Sequence, residues 1–286
     1  MPASNRSHRG ILWGRLLLAV AVLGLGGLLR GALVSVVAEP GGALGALLDA
    51  GLARAEAALI VEGNFETIAD GNALRGREKE GGWYESRNIG GDKEARLQLK
   101  MHTKPLGANA TKKAMIKGNP LYNTYLSQAF SEPQKGRFSL QWDICVSEIL
   151  PPFNRSAFQM IGNASAKGRG PNGSGPERFV FLAFENAAQA DKINLFSFEG
   201  RNPDQWDVRT LLVPNLDLNT WYTVRVDVDT AKKSYTVTVP GVTSKPIEVA
   251  AFRVKKGNPP ETLTHISFAS WDDGPGTFYV DNVRQP

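Results

Sequence analysis

The chain is poor in the residues on which most nucleophilic and metal chemistry depends. It has one cysteine, Cys145, and three histidines. A single cysteine forms no internal disulfide, so stability has to come from core size, which a chain of 286 residues can supply. Cys145 lies in the run Phe138-Ser139-Leu140-Gln141-Trp142-Asp143-Ile144-Cys145 and reads as a structural thiol. His8 precedes an apolar run, which leaves His102 and His265, too few for the familiar zinc sites. The sequence has no G-x-S-x-G elbow, no phosphate loop and no H-E-x-x-H. Nor does the chain carry a real excess of positive charge. The formal net charge is +5, but Arg6, Arg9, Arg15 and Arg30 supply four of those charges from residues 1–38, a stretch without Asp or Glu. The rest holds 29 basic against 28 acidic groups, and such a body presents no general field that would attract nucleic acid.

What is present begins with that N-terminal stretch. Three Arg precede the unbroken apolar run Leu16–Leu29. A basic start, a short apolar core and the small residues Val36-Val37-Ala38 are the parts of a secretory signal. Fourteen apolar residues fall short of the ~20 that span a bilayer. With Arg30 reaching back to the interface, however, Leu16–Ala38 can serve as an uncleaved anchor. Residues 1–38 are therefore a signal peptide or a membrane anchor. Either one places the body outside the cytoplasm, released or tethered to the membrane. Residues 39–58 read as a linker. Leu44, Leu47, Leu48, Leu52, Ala55 and Leu59 recur at helical spacing there.

From Leu59 onward the period changes to two. Phe138, Leu140, Trp142, Ile144 and Val146 alternate with Ser139, Gln141, Asp143, Cys145 and Ser147, one row for a core and one for water. Trp221–Asp229 repeats the pattern with Tyr222, Val224, Val226 and Val228 inward, and Ala231-Lys232-Lys233 reads as a hairpin turn. Arg178–Phe184 is apolar on both rows, as in a strand covered on both faces. Gly/Pro clusters at 168–176, 200–203, 257–260 and 272–276 separate about a dozen such runs. These features predict an all-β fold, an antiparallel two-sheet jelly-roll sandwich over residues 59–286 preceded by the signal or anchor helix.

The ends of the body carry a resemblance. Val61-Glu62-Gly63-Asn64-Phe65-Glu66-Thr67 with Gly82-Trp83-Tyr84, and the closing Phe278-Tyr279-Val280-Asp281-Asn282-Val283, resemble the terminal strands of concanavalin A-like (laminin G-like) lectin/glucanase domains and jelly-roll carbohydrate-binding modules. Trp221-Tyr222-Thr223-Val224-Arg225-Val226 before its hairpin looks like the same pattern. The resemblance implies that first and last strands pair. It also implies a structural Ca²⁺ at that junction, with Glu66 and Asp281 among its oxygen ligands.

The alternating carboxylates of hydrolases with this fold, and the Arg/Glu/Arg and Gln-x-His strands of its alginate lyases, do not occur. Asp227-x-Asp229 ends a strand before two lysines and reads as a solvated strand end, so no catalytic residue is assigned. Sugar binding calls for aromatic platforms beside planar polar groups. Trp206, among Asn202-Pro203-Asp204-Gln205 and Asp207, is the first candidate platform, with Trp83, Tyr84 and Trp271 beside it. Asp143, Arg225, Gln141 and Asp227 on wet rows are the candidate polar partners. Trp142 and Trp221 read as core or strand-edge residues. The reading that follows is an exported, noncatalytic binder of a polysaccharide or other glycan. A divergent glycoside hydrolase or polysaccharide lyase, and a structural or protein-interaction module of the envelope, stand as alternatives.

Overall fold

The structure is a computed structural model that describes residues 58–69, 81–86, 99–118, 120–121, 123–172, 177–199, 208–253 and 257–286. Residues 1–57, and with them the leader and most of the linker, lie outside the described residues. All described residues belong to one compact unit, Ala55–Pro286.

The first seven strands are β1 (Tyr84–Glu85), β2 (Leu99–His102), β3 (Lys113–Lys117), β4 (Thr124–Gln134), β5 (Arg137–Ile149), β6 (Arg155–Gly162) and β7 (Arg178–Asn186). The others are β8 (Lys192–Phe198), β9 (Arg209–Asp217), β10 (Trp221–Asp229), β11 (Ser234–Thr238), β12 (Ile247–Ala250), β13 (Leu263–Ser270) and β14 (Gly276–Arg284). They form two antiparallel sheets of seven strands each. The first runs β1-β4-β13-β6-β7-β8-β9 and the second β12-β11-β10-β5-β14-β3-β2. No helix occurs among the described residues.

The period-two rows explain the layering. From the second sheet, Leu140, Trp142, Ile144, Val224, Val226, Val228, Tyr235, Val237, Phe278 and Val280 point inward. They meet Leu126, Ala157, Ile161, Val180, Leu182, Phe184, Ile266 and Phe268 of the first. Burying such a row is worth roughly 1.5–3 kcal/mol per large side chain. The two-faced apolar run at Arg178 becomes β7, flanked by β6 and β8. Val180, Leu182 and Phe184 enter the shared core, while Phe181 and Ala183 join a second apolar cluster on the opposite face.

One terminal expectation changes. Residues 61–67 form turns instead of a first strand. Glu62 and Phe65 take left-handed φ values of 50° and 57°, and Phe65 N–H donates to Glu62 O (3.0 Å), which reverses the chain. The segment still meets the last strand through one bond, Val283 N–H to Gly63 O (2.8 Å). A Cβ on Gly63 would lie 1.7 Å from the Val283 carbonyl oxygen, so only glycine permits this approach. Phe65 and Ile68 then plug the core in place of a strand.

Candidate functional site

The outward rows of β5, β10 and β14 build a polar ladder on the open face of the second sheet. On β5 and β10, Thr223 pairs with Asp143, Arg225 with Gln141, Asp227 with Ser139 and Asp229 with Arg137. Antiparallel pairing brings each such couple onto one face. On the other flank of β5, Asp281 pairs with Asp143 and Arg284 with Gln141. Two residues of β14, Asn282 and Val283, therefore stand against the single Trp142 between Gln141 and Asp143, which makes a β-bulge. Asn282 absorbs it with φ of 51°, a conformation asparagine tolerates better than most residues.

The bulge aims Asn282 into the ladder. Its Nδ2 donates to Asp143 Oδ2 (2.8 Å) and its backbone N–H to Asp281 Oδ1 (2.7 Å). Thr223 Oγ1 donates to Asp143 Oδ1 (2.6 Å). Asn109 Nδ2 (2.7 Å) and Thr111 Oγ1 (2.9 Å) both donate to Asp281 Oδ2. Asn109 is set by a tight turn in which Leu106 and Asn109 bridge, with Gly107 at φ 56° at its tip. That turn also fixes an aromatic wall, because Trp221 Nε1 donates to Leu106 O (2.8 Å).

Ala108, Asn109, Ala110, Thr111, Asp143, Trp221, Tyr222, Thr223 and Asn282 line an open cavity of about 370 Å³. A second groove of about 440 Å³ lies further along the same ladder, around Asp227, Asp229, Arg137 and Lys232. Two of its carboxylates are held by neighbouring guanidiniums. Arg137 holds Asp229 at 2.9 Å and Arg225 holds Asp227 at 2.8 Å. Its rings, Phe138 and Tyr235, belong to the core. The Trp221 cavity is the better candidate, since it joins an oriented ring to a preorganised set of amide, hydroxyl and carboxylate groups.

Burial shapes the charges behind it. Asp281 is 0% exposed, and desolvation pushes its carboxyl above the ordinary range, with the neighbouring Asp143 charge adding to the effect against the bonds from Asn109, Thr111 and Asn282. Lys113 is buried beside it. Desolvation draws its ammonium below the usual value, opposed by Asp281 and Glu66. The Lys113 ammonium donates to the Lys104 (3.0 Å) and Thr111 carbonyls. Cys145, between Trp221 on β10 and Tyr279 on β14, is buried as expected of a structural thiol, and burial pushes it up to about 11.

The residues singled out from sequence disperse. Trp206 lies outside the described residues. Trp83 is corrected to a core residue. It is 0% exposed, with ring centroids 5.2 Å from Phe65 and 6.0 Å from Phe268, because Tyr84 and not Trp83 takes the outward row of β1. Tyr84 is itself buried, its hydroxyl donating to Arg169 O (3.1 Å). Trp271 is corrected likewise. At 9% exposure it stacks on Phe158 (3.9 Å) with the Arg178 guanidinium 5.2 Å from its ring. Asp143 lines the cavity. Arg225 stands one rung away opposite Gln141, its side chain 41% exposed and turned to Asp227. Gln141, with its amide oriented to accept, meets Arg284 at 2.6 Å. Trp221, read from sequence as a core or strand-edge residue, lines the cavity, and Asn109, Thr111 and Asn282 are additions to the candidate set. For Trp221 the signal existed, since it shares the wet row of Thr223, Arg225 and Asp227.

The pair implied for calcium fits an ion poorly. Glu66 Oε1 accepts Lys112 N–H (2.9 Å), and Lys112 Nζ donates to the Glu66 and Ile68 carbonyls (3.0 Å each). Asp281 is occupied by three protein donors. Oxygens a hard cation would need already face amide, hydroxyl and ammonium donors. Among the described residues no three His, Cys, Asp or Glu side chains converge as metal ligands.

No family model matches the chain, and no curated protein matches its sequence. Among solved structures it is similar to a sialidase (TM-score 0.46, 11% identity, 78% of this chain), of which it spans only 18%. It is also similar to the marine PL-14 alginate lyase from Aplysia kurodai (TM-score 0.45, 11% identity, 67% of this chain and 88% of that one). A third is the endo-β-1,4-glucuronan lyase from the fungus Trichoderma reesei (TM-score 0.44, 12% identity, 70% and 89%). At these identities no residue role transfers from them.

Proposed function

We propose that this chain is an exported, noncatalytic carbohydrate-binding protein of jelly-roll type, held at or released from the envelope by residues 1–38. The observation that carries the reading is the Trp221 cavity. A ring fixed by its Nε1 bond to Leu106 lies beside Asp143, Asn282, Asn109, Thr111 and Thr223, whose orientations are set by mutual hydrogen bonds. Flat apolar ring faces and equatorial hydroxyls of a pyranose call for that combination. Asp143 is the one carboxylate among the lining residues, whereas glycoside hydrolysis ordinarily takes two.

One observation favours a second reading. Asp281, with its raised pKa, is the cross-strand partner of Asp143, and paired carboxylates in unlike environments are the raw material of an acid and a base. Its complete burial behind Asn109 and Thr111 weighs for the binding reading. The test is a glycan array on the full-length chain in mild detergent, with reducing-end release assayed on every ligand bound. Binding without turnover is expected. Trp221→Ala should weaken that binding at least tenfold, about 1.4 kcal/mol. Turnover would install the hydrolase or lyase reading. A broad array without binding would sink both and leave the structural or interaction module.

A further inference from the structure

From the charges around the Trp221 cavity we infer that it selects neutral or amino-bearing sugar units and excludes uronates and sulfated sugars. The inference rests on the carbohydrate-binding reading and adds the ligand's charge class. Its nine lining residues include no Lys, Arg or His, and Asp143 is the only charged side chain among them. A ligand carboxylate or sulfate would lie against a like charge with no counter-charge among the described lining residues.

The cations nearest along the ladder are committed elsewhere. Arg225 is spent on Asp227, through Nε (3.0 Å) and Nη2 (2.8 Å) to Oδ1. Arg284 donates from Nη1 to Asn282 O (2.7 Å) and caps Gln141. Lys113 is fully buried and turned to the Lys104 and Thr111 carbonyls.

The hydrogen-bond roles agree. Each Asp143 oxygen accepts one protein donor, from Thr223 and Asn282, and each keeps a further lone pair. Tyr222 Oη accepts from Asp217 N–H (2.9 Å), and Asn109 Oδ1 accepts from Thr111 N–H. What the cavity has left to offer at Asp143 is acceptors, which match the donor hydroxyls of a neutral sugar and, with more strength, the ammonium of a glucosamine unit.

The experiment titrates the full-length chain in mild detergent with matched β-1,4-linked hexamers of glucose, glucosamine and mannuronate, at low and high salt. The glucosamine hexamer should bind at least tenfold tighter than the glucose hexamer at low salt and lose that margin at high salt. The mannuronate hexamer should not bind. Asp143→Asn should erase the preference for glucosamine over glucose. Should that variant fail to fold, the salt dependence of the wild type still decides. Mannuronate binding that is lost in Trp221→Ala overturns the charge selection while leaving the carbohydrate-binding reading in place. Binding of none of the three, nor of any sugar on a wider panel, removes that reading and this inference together.

Discussion

The two sheets turn very different outer faces away from their shared core. On the first sheet that face is closed. Tyr125, Phe158, Met160, Phe181, Phe198 and Trp271 form a second apolar cluster with Phe252, and the Arg155 and Arg178 guanidiniums lie over its rings. Phe181 stacks on Phe198 at 4.2 Å and meets Phe252 edge-on at 5.1 Å. Beside it, Ser86, Ser127, Ser267 and Asn172 join in a buried hydroxyl–amide network. On the second sheet the face is an open ladder of Asp, Thr, Arg and Asn whose bonds run sideways between strands. A face sealed by aromatic packing contributes stability. A face of mutually fixed polar groups contributes recognition, because its groups are held for a ligand at little cost when the ligand arrives.

The comparison breaks most visibly through stability. Phe181→Ala in the sealed cluster should cost about 3–5 kcal/mol, while Thr238→Ala on the open face should change stability by less than about 0.5 kcal/mol, both read from denaturant unfolding. Equal effects would mean that the two faces are not different in kind.

A smaller effect separates them by pH. The folded-state pKa of Asp281 lies above its unfolded value. Its contribution is therefore fully present below the ordinary carboxylate value near ~4 and is lost as pH rises through the folded pKa. Relative to wild type, Asp281→Asn should gain stability over that rise. A difference curve that is flat from pH 3 to 8, or that slopes the other way, would remove the burial argument for the open face.

The smallest effect expected is none. With Lys112 and Lys113 serving the carbonyls near Glu66 and Asp281, chelator should leave the melting temperature unchanged. A fall that calcium reverses would restore the ion implied by the terminal motifs.

Much of this contrast is legible residue by residue. The alternation in Arg137–Ile149 and Trp221–Asp229 assigns one row of each strand to water, and Asp143 and Arg225 stand there as expected. The double apolar rows of Arg178–Phe184 require cover on both faces, which the two clusters supply. Trp83 and Trp271 were misplaced because a tryptophan beside a turn is equally compatible with a sealed ring and an open one. Its exposure depends on which neighbours arrive. Asn282 was invisible for another reason. Its role comes from one extra residue in β14 relative to β5, a property of two strands paired and of neither alone.

The sequence by itself determined the all-β class, the inward and outward rows and the absence of the usual catalytic motifs. Each follows from side-chain periodicity and residue chemistry, which are local. Only the tertiary structure decided which outer face is closed, that Trp221 and not Trp83 or Trp271 borders a cavity, and that lysine ammoniums serve the carbonyls at the terminal junction. Those outcomes depend on strand order and register, which bring together residues far apart in the sequence, such as Asn109, Asp143, Trp221 and Asn282.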